Sequence, residues 1–544
     1  MDEITPFYEE SYFNYPRYYT GIRKASIALK RINEVEDISD LDRRDFIGRC
    51  YFLRGYYYFQ LLLQYGPVPI VPDEAFDVDA SVETMSIERS TYDECVNHIC
   101  QNLEKATEYL YTSRSSDEIN IPTQGAALAI LSRVKLYAAS PWFNGGSGGL
   151  YADWIRESDG SHFISQTKDN DKWGKAAIAA KRVINTGLYH LYTARRKSDT
   201  GQLPETVTQA YATRPISQFN PADIDPYRSY AEIFNGDVPA EMNEEIIYSC
   251  RPNQTGKDTP AGIAMPALMG GMNGLNLTQD VADAFYMADG TSYSLPAQHW
   301  EPIGTDKKFS GYTLKANVAK MYDNREMRFY VSMGFCHCYW PGTSYSGNDN
   351  TLKNVEVQYY VDGNAGPPAN FAVDYNHSGY TCKKYVHPED NLKGSLKPKS
   401  FPIYRYAETL LTYAESMVNA FNDVDYTDET YVYSALWAIN EVRKNADMPL
   451  LTSMGKEEFL ERLYNEWRVE FAFEDHRFWD LRRCLLPLDT TIEGIQVTRT
   501  DNGLSYEIKE IEQRPLDALR YYYLPLPNDE LLKNPNLKNN MGWN

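Results

Sequence analysis

The sequence predicts a mainly α fold: a tetratricopeptide-like helical-hairpin scaffold with a large loop-rich insert containing short strands. Three observations predict it. Apolar residues recur at steps of three and four over residues 1–190, the spacing of one helix face. That periodicity lapses over residues 191–400, where Gly, Asn, Pro and Tyr dominate, and it returns over residues 401–544. No compositional break isolates an independent domain, so the three stretches are expected to form one fused body.

The elements follow in order. Between Asp42 and Tyr65, the residues Phe46, Cys50, Leu53, Tyr57 and Leu61 mark one helical face, and Gly66-Pro67-Val68-Pro69 stops it because proline lacks a donor and restricts its neighbour. Ser90 or Thr91 is an N-cap for a second helix with Tyr92, Val96, Ile99, Leu103, Ala106 and Leu110 on one stripe. Thr123 opens a third, in which Ala127, Ile130, Leu131, Val134 and Ala138 mix small and large residues and let a neighbour approach closely, until Pro141. A fourth runs from Trp173 to Asn185 and closes at Gly187. The insert shows only brief strand-like runs, Glu245–Tyr248 and Val355–Val361. Helices are expected again over Ile403–Ala420, Tyr431–Lys444 and, as the longest, Lys456–Arg483, before an extended Pro/Asn-rich tail from Tyr521.

Composition narrows function. With 54 Lys+Arg against 75 Asp+Glu, the 544-residue chain carries a formal charge of −21, which repels phosphate backbones and anionic lipid surfaces. Nucleic acid is excluded as the expected partner. Hydrophobic residues at 43% supply a core, and no apolar stretch reaches the roughly 18 residues of a membrane helix. Aromatics make up 14%, with 44 Tyr; tyrosine couples a flat apolar face to a polar tip and suits surfaces that are wet yet adhesive. The eight cysteines are scattered and define no disulfide framework. Cys336-His337-Cys338 lacks the second ligand pair a zinc site needs, so no metal and no cofactor is expected.

Four ordered segments resemble the SusD/RagB family of outer-membrane nutrient-binding proteins. Phe52-Leu53-Arg54-Gly55-Tyr56-Tyr57-Tyr58-Phe59, followed by Tyr65-Gly66-Pro67-Val68-Pro69-Ile70, is similar to the family's helix and G-x-V-P stop. Arg405-Tyr406-Ala407-Glu408, Tyr413-Ala414-Glu415, Ile439-Asn440 and Val442-Arg443 resemble its R-Y-A-E…Y-A-E…I-N-x-V-R region. The run from Glu466 to Glu474 and that from His476 to Arg483 resemble its charged C-terminal signature. Tyr523-Leu524-Pro525-Leu526-Pro527, Asn534-Pro535-Asn536 and Asn539-Asn540-Met541-Gly542 resemble its ending. Weaker likeness lies in Leu277–Asp280 with Asp289-Gly290-Thr291, and in Asp323–Phe329.

The resemblance implies a tetratricopeptide-like scaffold with a variable face, displayed at the outer membrane of a Bacteroidetes-type bacterium. It implies glycan capture, or peptide capture in a RagB-like member, for delivery to a SusC-like TonB-dependent transporter, without a catalytic site. Membrane attachment through a lipid anchor is implied too. Tyr18–Ala25 already resembles a point well inside the family pattern, so the chain is expected to start late, without the signal and acylated cysteine.

Glu466, Glu470 and Glu474 share one helical face near His476, a spacing that could hold a metal or share protons. The interleaved Arg468, Arg477, Arg482 and Arg483 favour structural ion pairs, Glu474 with Arg477 and Arg477 with Asp480, over a packing stripe of Trp467, Phe471 and Phe478. A glycoside hydrolase would need a carboxylate pair across a sugar, and no local motif singles one out. Sugar binding asks for aromatic platforms with polar neighbours. Loop aromatics are the candidates: Trp142 with Asn144 after Pro141, Trp300, and Tyr339, Trp340 and Tyr345 around Pro341-Gly342. In a strand, Tyr339 and Trp340 would face opposite sides, and Trp340 is the preferred platform. Tyr151 and Trp154 are held in reserve, whereas Trp437, Trp467 and Trp479 fall within helical periodicity and are expected in the core.

Overall fold

Helices α1 (Tyr15–Arg31) and α2 (Asp40–Tyr65) open a stack in which each helix packs on the next: α3 (Tyr92–Tyr109), α4 (Gln124–Ala139), α5 (Asp171–Ile184), then α6 (Tyr406–Phe421) and α7 (Ala435–Asn445). The computed structural model describes residues 14–543, apart from 75, 78, 202–223, 252–258, 341–354, 368–374, 393 and 489. The helix starts are set chemically. Thr91 and Glu94 form a reciprocal capping box on α3, and the Thr123 hydroxyl accepts the Ala126 amide at α4. Because α4 lies between α3 and α5, almost its whole circumference is buried, which explains its alanine content.

Two sequence expectations change in α2. Phe46 is exposed and Cys50, Leu53 and Tyr57 are half-buried, whereas Phe52, Gly55, Tyr58, Phe59 and Leu62 are buried with Leu61. The helix is gripped by both α1 and α3, so its core-facing arc is wider than one stripe and rotated from it. With 26 residues, α2 is also the longest helix among the described residues. The expected Lys456–Arg483 helix breaks into α8 (Lys456–Glu470) and α9 (His476–Arg483), because Phe473 and Asp475 take left-handed backbone angles, φ 66° and 65°.

Strand β1 (Ile246–Cys250) pairs antiparallel with the distant β8 (Phe401–Arg405), tying the insert's ends together; residues 403–405 are therefore strand rather than the start of α6. Between them lie the short pairs β2 (Lys307–Phe309) with β3 (Tyr312–Leu314), β4 (Met333–Phe335) with β7 (Tyr380–Cys382), and β5 (Tyr339–Trp340) with β6 (Val355–Glu356). A long hairpin, β9 (Thr491–Thr500) with β10 (Gly503–Gln513), was not anticipated from the sequence. The tail is extended but includes two short helices, Ala518–Tyr521 and Asn528–Lys533.

The helices close over one hydrophobic core, and the insert builds a second around Phe234, Met265, Phe285, Phe329, Phe335 and Trp340, to which Ile495, Val497 and Tyr506 of the hairpin contribute. The two meet at a buried ionic network. Arg405 donates to Glu245 at 2.6 Å, to Glu470 at 2.6 Å and to Glu474 at 2.8 Å. Arg328 donates to Glu326, Glu466 and Glu470, each at 2.7 Å, and Lys384 reaches Glu474 at 2.7 Å. The expected structural role of these glutamates therefore stands, but with partners from other elements. Glu474 pairs with Lys384 and Arg405, and Asp480 with Arg483, in place of the intrahelical pairs through Arg477. Trp467 and Phe471 are buried as expected, Trp437 and Trp479 are half-buried against the core, and Phe478 is exposed beneath the Arg482 guanidinium.

All eight cysteines are free. Cys336 and Cys338 are buried, and burial pushes their thiols up to about 12 and about 11. No cluster of His, Cys, Asp and Glu able to hold a metal occurs among the described residues. Among them, too, no helix is long and apolar enough to cross a membrane.

Candidate functional site

The candidate aromatics separate sharply. Trp142, on a single turn after α4, is 1% exposed; its ring stacks on Tyr522 at 3.5 Å and its Nε1 donates to the Tyr523 hydroxyl at 3.1 Å. Asn144 is equally committed, donating to the Asp169 carbonyl at 2.9 Å and accepting the Asp169 amide at 2.7 Å. Both anchor chain segments and present no ligand face, which corrects the expectation. Tyr151 and Trp154 of the reserve pair are buried as well. Trp300 remains 48% exposed, set edge-on to the His299 ring, whose Nε2 lies 3.1 Å from the Tyr506 carbonyl oxygen of β10. It is an open platform. Tyr345 lies outside the described residues.

Strand alternation separates Tyr339 from Trp340 as expected, but in the opposite sense. Trp340 is fully buried and Tyr339 half-buried, so the preference for Trp340 is corrected to Tyr339. The reason lies on β4. A Cβ on Gly334 would come within 2.7 Å of the Trp340 ring, so the absence of that atom lets the indole lie flat against the sheet.

Tyr339 opens onto a cavity of about 290 Å³, lined also by Tyr227, Trp340, Asn235, Asp237 and Lys383. That volume lies just below the usual range of ligand pockets, about 300–1,000 Å³. Asp225 builds one wall: its carboxylate caps the short helix Pro226–Ala231 by accepting the Arg228 amide at 3.0 Å, and it takes the hydroxyls of Thr200 and Ser310 at 2.6 and 2.7 Å. This holds Tyr227 against Tyr312, with ring centroids 5.8 Å apart, and Tyr312 in turn meets Tyr339 edge-on at 6.2 Å. The turn after β7 brings in Lys383 and Lys384.

The polar rim is ordered by its own pairs. Asp237 accepts from His387 at 2.7 Å, which holds its carboxyl below the ordinary value, and exchanges hydrogen bonds with Asn235. Burial pushes Glu232 up, and it accepts the Tyr192 hydroxyl. Burial lowers Lys384 to about 8 even with Glu474 beside it. Sequence reasoning missed Tyr227, Asn235, Asp237 and Lys383. The readable signal was the Lys383-Lys384 pair directly after the Tyr380-Thr381-Cys382 run.

A larger groove of about 1040 Å³ runs between Ser86–Arg89, Trp154–Phe163 and the tail. Its rings Trp154, Phe163 and Trp543 are buried, and its charges are mutually paired, Arg156 with Glu94 and Asp159, and Lys538 with Glu157. It is a seam along which the tail docks.

A helical stack presenting a cavity built from a loop-rich insert defines a scaffold that displays a candidate binding face. The chain belongs to the SusD family: the family model described as "SusD family" matches residues 233–543, more than half of it. A second, described as "Starch-binding associating with outer membrane", matches residues 1–136. SusD-like protein P2 of Formosa agariphila is 34% identical over 148 residues, 26% of this chain and 25% of that protein. The chain thus spans about a quarter of the length of the curated relative it matches. Among solved structures, a SusD-like protein of Bacteroides fragilis matches with TM-score 0.73 at 23% identity, covering 99% of this chain and 88% of that one. A SusD-like carbohydrate-binding protein of the same species matches at 0.65 and 17%, covering 98% and 88%. A crystal structure with a xylogluco-oligosaccharide matches at 0.57 and 16%, covering 96% and 86%. At these identities the likeness is one of fold.

Proposed function

We propose that this protein is a non-catalytic glycan-capture subunit at the outer membrane, lipid-anchored at the cell surface and passing oligosaccharides to a SusC-like TonB-dependent transporter. The observation that carries the reading is the Tyr339 cavity, where an aromatic face stands beside amide, carboxylate and ammonium groups able to bond sugar hydroxyls. The carbohydrate-binding relative and the neighbour with a xylogluco-oligosaccharide support the ligand class. One ring face covering ~100 Å² of sugar contributes ~2.5 kcal/mol at about 25 cal/mol per Å². With a few hydrogen bonds and the cost of ordering the ligand, this gives dissociation constants of roughly millimolar to micromolar. Such affinities permit capture followed by release to a transporter. Non-catalysis is supported by the glutamates of the C-terminal signature, which are consumed by Arg328, Arg405 and Lys384.

Native affinity gels containing a polysaccharide panel test this. One glycan is expected to retard the protein, with Tyr339→Ala weakening retardation by about tenfold or more while the melting temperature stays within a few degrees. Trp300→Ala reports whether that exposed ring extends the site. Binding of oligopeptides without any glycan, or hydrolysis of the glycan by the purified chain, would sink the reading.

A further inference from the structure

Among the described residues, charged groups around the Tyr339 cavity are matched, with one exception. Arg228 is held by Asp199 and Asp225 at 2.6 and 2.9 Å. Lys384 is held by Glu474, the Tyr230 hydroxyl and the Ala472 carbonyl. Asp237 faces His387, and Glu232 takes the Tyr192 hydroxyl with Lys197 at 3.9 Å. Lys383 differs: it is 4% exposed, lines the cavity, and among the described residues its Nζ has no hydrogen-bond partner. It faces the Tyr312 ring, whose centroid lies 4.2 Å away, and the buried Cys338 thiol. A ring face replaces only part of the hydration that burial removes from an ammonium.

A second orphan stands on the same cavity. The Trp340 Nε1 is buried without an acceptor among the described residues, and an indole N–H can only donate. Orphaned buried polar groups are rare in native proteins and call for an explanation. Both orphans lack the same thing, an acceptor, and one of them also lacks a counter-charge. A neutral sugar hydroxyl would satisfy the hydrogen bonding and leave the charge unmatched; a carboxylate or sulfate oxygen supplies both.

Resting on the glycan reading above, we infer that the cavity takes an anionic group on a sugar, a uronate carboxylate or a sulfate ester, with Lys383 as its counter-charge. Specificity then comes from the pocket's own imbalance, since a neutral ligand leaves a buried ammonium unpaired. Burial holds the Lys383 ammonium down to about 8. In the free protein it loses its proton as pH rises through that value, so affinity for an anion is expected to fall above about pH 8.

Isothermal titration of the full chain decides the matter, with a panel of uronate-containing and sulfated oligosaccharides, each beside its carboxyl-reduced or desulfated counterpart. The acidic form is expected to bind about tenfold to a hundredfold tighter, and the arm that shows the gap identifies the anion. Lys383→Met should erase the gap, and Lys383→Arg should retain part of it. On the unaltered chain the gap should narrow between pH 7 and 9, a readout that does not depend on any variant folding. Equal or better binding of the neutral forms, or a gap that survives Lys383→Met, overturns the inference and leaves glycan capture standing. Binding of neither form overturns both.

Discussion

Arg405 donates to the carboxylates of Glu245, Glu470 and Glu474 within a buried space, and the sharing bears on how Glu245 and Glu470 titrate. Burial works against the charge on Glu470, but Arg405 and Arg328 together outweigh it and hold that carboxyl below its ordinary value. Glu245 has only the one guanidinium, in competition with Glu470, and burial pushes it up to about 7. A carboxyl with a raised folded pKa binds its proton more tightly in the folded state. Stability from this group is therefore present at low pH and declines as pH rises from the ordinary 4.5 to about 7. Glu245→Gln should accordingly have a higher melting temperature, relative to the unaltered chain, at pH 7.5 than at pH 5. Thermal melts at both values check this, and an offset independent of pH would contradict it. Arg405→Met leaves buried carboxylates without a counter-charge and should cost about 3–5 kcal/mol, read as a large drop in melting temperature or in soluble yield. The i, i+4, i+8 spacing of the glutamates was legible in the sequence. Their partners were not, because Arg328 and Arg405 lie 138 and 65 residues away from the glutamates they meet.

Elements with strong local chemistry were readable, and those fixed by long-range packing were not. α3 satisfies cap and stripe together, and all six of the predicted core residues are buried. Its capping box makes a direct prediction: Thr91→Ala removes the acceptor for the Glu94 amide and should destabilise the protein by about 1 kcal/mol. Thr91→Ser should restore most of that loss in denaturant titration. The β9–β10 hairpin carried a signal too, Asp501-Asn502-Gly503 at its turn. Its flanks conceal it, because most of β10 is exposed, four of its eleven residues are charged and only Tyr506 in it is buried. Within the site, alternation correctly put Tyr339 and Trp340 on opposite faces. Which face was buried depended on Gly334, a residue on another strand, and no local pattern could supply that choice.

Over the whole molecule, the first and last family segments are legible as motifs but acquire their meaning only in three dimensions, where they form one joint. Buried Arg89 donates to the Pro67 and Tyr65 carbonyls at the G-P-V-P stop, at 2.7 and 2.9 Å, and to Asn540 and the Lys538 carbonyl of the tail, at 2.6 and 3.0 Å. Asn540 returns donors to the Tyr65 and Leu524 carbonyls, and Trp543 donates to the Tyr523 carbonyl. Gly66 sits at the centre with φ 70°, a backbone conformation that strains any other residue, and a Cβ there would crowd the Tyr523 ring at 3.1 Å. Removal of residues 534–544 should therefore do more than shorten a tail. It exposes the surface covered by Trp543, a loss comparable to the about 3–5 kcal/mol of a core tryptophan truncation, and takes away the Asn540 and Lys538 acceptors of Arg89, at about 1–3 kcal/mol for each buried group left unmatched. The truncated chain should melt several degrees lower and become sensitive to protease near Ala518–Lys533, while the Tyr339 cavity, built from the insert, keeps its ligand affinity at low temperature. Unchanged melting and proteolysis would show that the joint is not needed to close the helical stack. Loss of ligand binding in a truncated chain that remains folded would instead tie the cavity energetically to the tail.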